Sequence, residues 1–345
     1  LTLRPELTAS VVRSYIQHNL GTISPIHRLY YSGPLFRRER PQKGRQRQFH
    51  QFGVEAFGSN NPEQDVEIIA IAWKILSLCG LANDTTLNLN SIGSNECRNN
   101  YRTALKSYLY PYIKDFSKTS QHRFDTNPLR ILDTKSEKEQ EILNDAPKIS
   151  DYHNETDRTH FESLKEFLKD MGLPFSINHK LVRGLDYYTG TVFEFNSDSL
   201  GAQDALLGGG RYNRLVETLG GKPTPGIGFA AGIERFLIAM EQSNFNAKKC
   251  NPDVYFVCAD NKALSRSIVI SSRLRGLNLK VVSDTLRRSI KSQLREANKL
   301  KVKYSLILGE DEINNSTITL KDFMKGTQKT IPQSEVINFF EDLTT

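Results

Sequence analysis

Between two strand-like flanks the chain runs Phe36-Arg37-Arg38-Glu39-Arg40-Pro41-Gln42-Lys43-Gly44-Arg45-Gln46-Arg47-Gln48-Phe49-His50-Gln51-Phe52-Gly53-Val54-Glu55, six cations against Glu39 before it turns apolar at Phe49. Leu29-Tyr30-Tyr31 with Leu35-Phe36 on one side, and Phe49 to Phe57 on the other, read as strands; Pro41 and Gly44 mark the loop between them. The pattern predicts a β-hairpin with a long basic loop, whose strands project Arg37, Glu39, Gln51 and Glu55. Like charges packed this closely repel, and a polyanion is the simplest compensating partner. A solvated basic loop is the bland alternative. Two details weigh against it: Glu39 between Arg38 and Arg40 suggests a positioned acceptor, and Phe49, where the strand resumes, suits stacking on a base.

The rest of the chain says how large a body this hairpin serves. Its 345 residues suffice for about two to three domains. No apolar run reaches the ~18 residues a membrane helix needs, so no membrane is expected, and a cytoplasmic location is. The opening Leu1-Thr2-Leu3-Arg4-Pro5-Glu6 has neither Met nor a signal-peptide pattern and reads as the interior of a longer protein. Cys79, Cys97, Cys250 and Cys258 are scattered, with no paired spacing among them or with the 7 histidines, which points to reduced thiols and to no metal held by protein side chains. The formal charge is +7, and the excess lies toward both ends: nine cations and three acids over 1–60, fifteen and eleven over 251–345. Both ends could face one long polyanion.

Taken in order, Pro5 stands near the start of a helix that runs to Leu20 and stops at Gly21, with Val12, Tyr15 and Ile16 on its buried face. Arg4 and Glu6 could be a surface ion pair. Asn61-Pro62-Glu63-Gln64 reads as a capped helix start, Asn61 and Gln64 forming the reciprocal box, followed by a core stripe of Val66, Ile69, Ala70, Trp73 and Leu76. Leu87 to Asn90 alternates as a strand with one wet face. From 93 to 176 the chain turns charged and helical, with Tyr101, Leu105, Tyr108 and Leu109 in one stripe and Phe161, Leu164, Leu168 and Met171 in another. Strands return at Phe175–Asn178 and Thr191–Phe195. Two glycine-rich runs follow, Leu207-Gly208-Gly209-Gly210-Arg211-Tyr212 and Gly226 to Arg235. The second spaces its glycines as GxGxxxG with no βαβ unit around it, which excludes a dinucleotide fingerprint; glycines here suit close backbone approach on a cavity floor. After a polar linker over Lys248–Pro252, strands and helices alternate to the end, predicting a mostly parallel sheet with helices on its faces.

The basic hairpin resembles motif 2 of the class II aminoacyl-tRNA synthetases, in the form found in the histidyl-tRNA synthetase family. Leu181-Val182-Arg183-Gly184-Leu185-Asp186-Tyr187-Tyr188-Thr189-Gly190-Thr191-Val192-Phe193-Glu194 is similar to a signature peculiar to that family, and the run ending at Arg235 to motif 3. The resemblance implies an α+β catalytic core with an antiparallel sheet over 1–92 and 177–247, a helical insertion domain over 93–176 lying against the tRNA acceptor arm, and a C-terminal α/β anticodon-binding domain over 252–345. Motif 1, which builds the dimer interface of a homodimer, would precede Leu1. The implied partners are L-histidine, ATP with Mg²⁺, and tRNA(His). By match to the family's motifs, Arg37 would hold the α-phosphate and the incoming carboxylate, and Arg183 would contact the same phosphate from the opposite side, where a divalent cation could otherwise serve. Phe49 and Arg235 would sandwich the adenine, with Glu39 on its exocyclic amine and Arg45 on the β- and γ-phosphates. Glu6 and Thr8 would hold the α-ammonium of histidine, Gln51 its backbone, and Glu55 and Tyr188, with Tyr187 beside them, its imidazole. Gln42, Lys43 and Arg47 would meet the acceptor end. Leu7 stands where the family usually has glycine, Gly208 and Leu207 replace small residues, and Asn213-Arg214 replaces an Asp-Gly pair.

Two other readings compete. A synthetase-like regulatory subunit would sense histidine without charging tRNA; such proteins erode the ATP contacts and lack the C-terminal domain, whereas Arg37, Glu39, Arg183, Arg235 and that domain are all present here. An RNA-binding module without catalysis fits only the basic loop taken alone.

Overall fold

The basic stretch closes as a hairpin. In the computed structural model, which describes residues 2–38, 46–197, 200, 204–243, 245, 251–259 and 261–344, β1 (His27–Phe36) pairs antiparallel with β2 (Gln48–Phe57), His27 opposite Phe57 and Phe36 opposite Gln48. One further backbone bond, Arg37 N–H to the Arg47 carbonyl at 2.9 Å, carries the ladder to the loop. The sequence suggests two pieces of strand separated at Ser32-Gly33-Pro34; the structure runs one strand through them. Pro34 is tolerated because β1 is the sheet edge, where a missing N–H breaks no interior ladder.

Five more strands complete this sheet: β3 (Thr85–Ser91), β4 (Ser176–Ile177), β5 (Thr191–Ser197), β6 (Ala205–Arg211) and β7 (Gly226–Gly232), in the order β1-β2-β7-β6-β5-β3-β4. All neighbours are antiparallel except β3 and β4. The expected antiparallel core is present, and the glycine-rich runs are its two central strands. A glycine is required where they cross the acid of β2: a Cβ on Gly228 would stand 1.8 Å from Glu55 Oε2.

The helix at Pro62–Leu78 starts where expected, with Pro62 in its first turn, but the reciprocal capping box does not form. Gln64 Nε2 donates to Glu67 instead, and the Asn61 carbonyl accepts from Arg211 Nη2 at 2.7 Å. Ile68, Ile69, Ala72 and Leu76 of this helix share one core with Leu87, Leu89, Phe193, Phe195 and Phe229 from the sheet. Phe161, Leu164 and Leu168 from the helix at Glu155–Asp170 pack into the same core. The helices between them gather a separate core around Tyr101, Leu105, Ile131 and Leu132, and that core also takes in Leu181, Tyr188 and Val192. The 181–192 segment is thus part sheet, part helical cluster.

Contacts divide the chain into two units, Leu1–Phe245 and Asn246–Thr345. The second holds β8 (Val254–Cys258), β9 (Val281–Ser283), β10 (Tyr304–Leu308), β11 (Thr317–Asp322) and β12 (Thr327–Pro332), in the order β12-β11-β10-β8-β9. Here the expectation of a mostly parallel sheet is corrected. β9, β8 and β10 are parallel, but β10–β11 and β11–β12 are antiparallel: a short helix at Glu310–Asn314 joins β10 to β11, and the turn at Lys325-Gly326 folds the chain straight back into β12 as a hairpin. β8 is buried along its whole length: Val254, Phe256 and Cys258 face one core, Tyr255 and Val257 the other. Of the linker placed over Lys248–Pro252, residues 248–250 fall outside the described residues.

Candidate active site

A cavity of about 760 Å³ opens over the sheet of the first unit. Arg37 and Arg183, 146 positions apart in sequence (183 − 37), both line it, together with Glu6, Phe49, Gln51 and Arg235. Gly208, Ala230 and Gly232 of the glycine-rich strands form part of its wall, as expected of a cavity floor. Residues from the helical cluster, Arg130 and Leu132 to Lys135 among them, close another side.

The segment before the first helix is laced to the hairpin. The Phe36 N–H donates to the Arg4 carbonyl, Arg4 Nε to the Pro34 carbonyl at 2.9 Å, and Arg37 Nε to the Pro5 carbonyl at 2.8 Å. Arg4 is therefore a tie between the segment and the sheet edge, and Glu6 turns the other way, accepting from the Ala9 N–H at 3.0 Å to cap the helix at Thr8–Gln17. Leu7 has φ −114°, a conformation open to any L residue, so no glycine is needed there.

Apart from the residues that line the cavity stands a buried acid. Glu55 is 1 % exposed; its Oε1 accepts from Thr8 Oγ1 at 2.6 Å and its Oε2 from the Tyr212 hydroxyl at 2.5 Å. Burial pushes its carboxyl up to about 8 from an ordinary 4.5, against the pull of the Thr8 and Tyr212 hydrogen bonds. Tyr187 stacks close to Tyr188, ring centroids 4.8 Å apart, and meets Tyr212 edge-on at 5.9 Å. Burial raises all three phenols, and Glu55 adds to the rise. They therefore stay neutral and offer hydroxyls, not phenolates. Tyr212 was not singled out in the sequence. Only its position, directly after buried Arg211 at the end of β6, hints at it: Arg211 pairs with Asp65 at 2.5 Å and sets the strand end rigidly.

Along the cavity wall the cationic side chains Arg37, Arg183 and Arg235 are half-buried. The Arg37 guanidinium lies over the Phe49 ring, 5.0 Å from its centroid. Arg235 Nη1 donates to the Ala205 carbonyl at 2.7 Å. Next to it Glu234 accepts from the His50 N–H at 2.9 Å and pairs with His50 Nδ1, binding the start of the helix at Ile233–Gln242 to β2. Burial pushes the Glu234 carboxyl up, but the His50 bonds outweigh it and hold it below its ordinary value. Arg183 pairs with Glu194. Burial would lower the Arg183 guanidinium, yet Tyr188 and Glu194 outweigh it and keep it firmly charged.

Of the residues expected at this site, Glu6, Arg37, Phe49, Gln51, Arg183 and Arg235 meet at the cavity wall. Thr8 and Glu55 form a buried pair that does not line it, with Tyr187 and Tyr188 close to that pair. Arg47 is exposed at the start of β2. Glu39, Gln42, Lys43 and Arg45 lie outside the described residues. Among the described residues no three His, Cys, Asp or Glu side chains gather as a cation site, and no helix is long and apolar enough to cross a membrane.

Comparison with known proteins follows the same division. Residues 1–236 match the family model described as histidyl-tRNA synthetase, and residues 253–343 one described as anticodon binding domain. A histidine–tRNA ligase of Cyanothece sp. (strain PCC 7425) is 45% identical over 98% of this chain and 78% of its own length. That of Anaplasma phagocytophilum is 42% identical over 99% of this chain and 80% of its own. The crystal structure of apo S. aureus histidyl-tRNA synthetase superimposes with TM-score 0.77 at 37% identity, covering 98% of this chain and 83% of that one. A Bacillus halodurans structure titled as an ATP phosphoribosyltransferase regulatory subunit/histidyl-tRNA synthetase shares the fold at 21% identity and TM-score 0.53, over 86% of this chain and 77% of its own.

Proposed function

The chain belongs to the histidyl-tRNA synthetase family and is a histidine–tRNA ligase that uses ATP, and from that premise we propose which residues carry each step. In the first step a carboxylate oxygen of L-histidine attacks the α-phosphorus of ATP. The new O–P bond forms as the bond to the bridging oxygen breaks, and pyrophosphate leaves. Negative charge builds around phosphorus, so the enzyme's task is to align the reactants and neutralise that charge. A planar guanidinium does both, since it remains charged and binds two oxygens at once. Arg37 and Arg183 flank the phosphorus. The observation that supports this assignment is that both, far apart in the chain, line one cavity together with Phe49, Gln51 and Arg235.

Phe49 and Arg235 hold the adenine, Glu39 contacts its amine, and Arg45 reaches the outer phosphates. Mg²⁺ enters this reading as a companion of those phosphates, held by their oxygens and water in the way the ion prefers. Histidine sits with its imidazole toward Glu55 and Tyr188, Tyr187 packing alongside. Neutral imidazole carries one donor and one acceptor, so an acid and a phenol satisfy both nitrogens, and a side chain lacking those nitrogens leaves buried groups unpaired. Glu6 and Thr8 take the α-ammonium and Gln51 the rest of the amino-acid backbone. Thr8 can do so while bonded to Glu55, because its hydroxyl donates once and keeps lone pairs free.

In the second step the terminal hydroxyl of tRNA(His) attacks the carbonyl carbon of the adenylate, and AMP leaves; the adenylate phosphate takes the proton. Gln42, Lys43 and Arg47 meet the acceptor end, the 93–176 insert lies against the acceptor arm, and the 252–345 domain takes the anticodon. We place the working enzyme in the cytoplasm as a homodimer. Histidine-dependent exchange of labelled pyrophosphate into ATP tests the central claim. A regulatory subunit would bind histidine without exchange, so tight histidine binding combined with no exchange would replace this reading.

A further inference from the structure

Arg183 does not stand free in the cavity wall. Glu194 Oε2 accepts from its Nη1, and the other carboxylate oxygen, Oε1, accepts from Asn196 Nδ2 at 3.0 Å. Asn196 Oδ1 in turn accepts from Asn88 Nδ2 at 3.0 Å. These four side chains come from β3, β5 and the loop before it, and all line the cavity. Alternation along β5 puts Glu194 and Asn196 on the same face. Across the sheet from Glu194, in register, is Gly208. A Cβ on Gly208 would stand 2.5 Å from Arg183 Nη1 and 2.7 Å from both Cζ and Nη2. The guanidinium thus lies across bare backbone, with a carboxylate on one side of it.

We propose that Glu194 and the missing side chain of Gly208 are positioning elements for Arg183: they fix the plane in which its guanidinium meets the α-phosphate. This rests on the reading above that Arg183 contacts that phosphate. A pair built for stability alone would satisfy every donor of the arginine, since a buried unpaired N–H is costly. Arg183 instead keeps a buried Nε without a partner. Both oxygens of Glu194 are taken, one by Arg183 and one by Asn196, so the carboxylate acts through the arginine. Preorganised donors need such support from behind, because they stabilise a transition state only when they are already aimed at it.

Pyrophosphate exchange with Glu194→Gln, Gly208→Ala and Arg183→Ala, singly and paired with Arg183→Ala, tests this. Misplacement of a catalytic group costs up to ~100-fold, so Glu194→Gln and Gly208→Ala should each lower kcat by about 10- to 100-fold. The histidine KM should remain within about twofold, the signature of an interaction made only in the transition state. Gly208→Ala pushes on the movable end of a long side chain, so the sheet should melt at its usual temperature and the loss cannot be put down to unfolding. In the Arg183→Ala background both substitutions should cost almost nothing more, because the group they position is gone. An undiminished loss in that background, or an unchanged kcat from both single variants, overturns the proposal while leaving Arg183 in place. An active Arg183→Ala enzyme overturns the phosphate assignment itself, and the positioning role with it.

Discussion

The buried cluster around Glu55 and the cavity wall are built on opposite principles. In the cluster, Glu55 is sealed from solvent and its oxygens are already bonded to Thr8 and Tyr212. On the wall, Arg37 and Phe49 form a half-buried cation–ring pair, and the loop between β1 and β2 carries more cations than any partner within the hairpin could neutralise. A buried, satisfied polar group discriminates sharply, because a wrong ligand leaves it unpaired. An exposed cation discriminates poorly but attracts any phosphate from a distance. One side is suited to recognising a side chain and the other to neutralising a charge that appears only during reaction.

The comparison breaks most easily on the charged side. Arg183→Ala or Arg37→Ala should raise the activation barrier by about 3 kcal/mol or more, by analogy with the loss of one oxyanion donor. Histidine-dependent exchange should then fall by at least ~100-fold, since each 1.36 kcal/mol is about tenfold. Binding of histidine without ATP should change far less. Were Arg37→Ala to abolish histidine binding instead, the two sides would not be separate devices.

On the sealed side the expected losses are smaller and fall on binding. Glu55→Gln keeps the shape but not the acid, and should weaken histidine by about 2 kcal/mol, in the range for one buried group left badly paired; titration calorimetry measures it. The same variant has a signature in pH. With its carboxyl held at about 8 in the fold against an ordinary 4.5, Glu55 is protonated in the folded protein where it would be ionised in the unfolded chain. Its contribution to stability is complete below about 4.5 and is lost as pH rises through about 8. Denaturant midpoints measured from pH 5 to 9 should therefore decline less steeply for Glu55→Gln than for the parent.

That contrast also governs what could be read without coordinates. The charged side announces itself locally: six cations in one loop, with Phe49 behind them, need no tertiary information to suggest a polyanion. The hairpin, the helix at Pro62 and the rejection of a dinucleotide fold rest on equally local patterns, whereas the antiparallel core came from the family resemblance. Tyr212 was not legible, because its partner Glu55 lies 157 residues away and only the β2–β7–β6 order brings the two strands near. Gly208 was read as a cavity-floor glycine replacing another small residue, but nothing along the chain shows that Arg183 lies across it. The C-terminal hairpin of β11 and β12 was missed for a different reason: Thr327–Pro332 is polar and exposed, and alternation of strands with helices favours a parallel reading when an edge strand has no apolar face.

Tyr212→Phe sharpens the comparison more finely. It removes one donor to Glu55 and nothing else of the ring packing against Phe57 and Tyr187. A net hydrogen bond of about 1 kcal/mol is lost, so the histidine KM should rise roughly fivefold with kcat little changed. An equal fall in kcat and no change in KM would mean the Glu55 cluster serves the phosphate side.

The smallest effect belongs to an exposed cation. Arg47 sits in solvent where β2 begins, and the bond it gives the hairpin is made by its backbone carbonyl to the Arg37 N–H. Arg47→Ala therefore leaves the ladder intact and removes only a charge. If that charge meets a phosphate of tRNA, the logarithm of tRNA affinity should fall with the logarithm of salt by about one unit of slope less than in the parent. Charging should drop a few-fold at low salt, with pyrophosphate exchange losing less, and the two enzymes should converge at high salt. A loss independent of salt would take Arg47 out of the cationic side altogether and make it a fold residue.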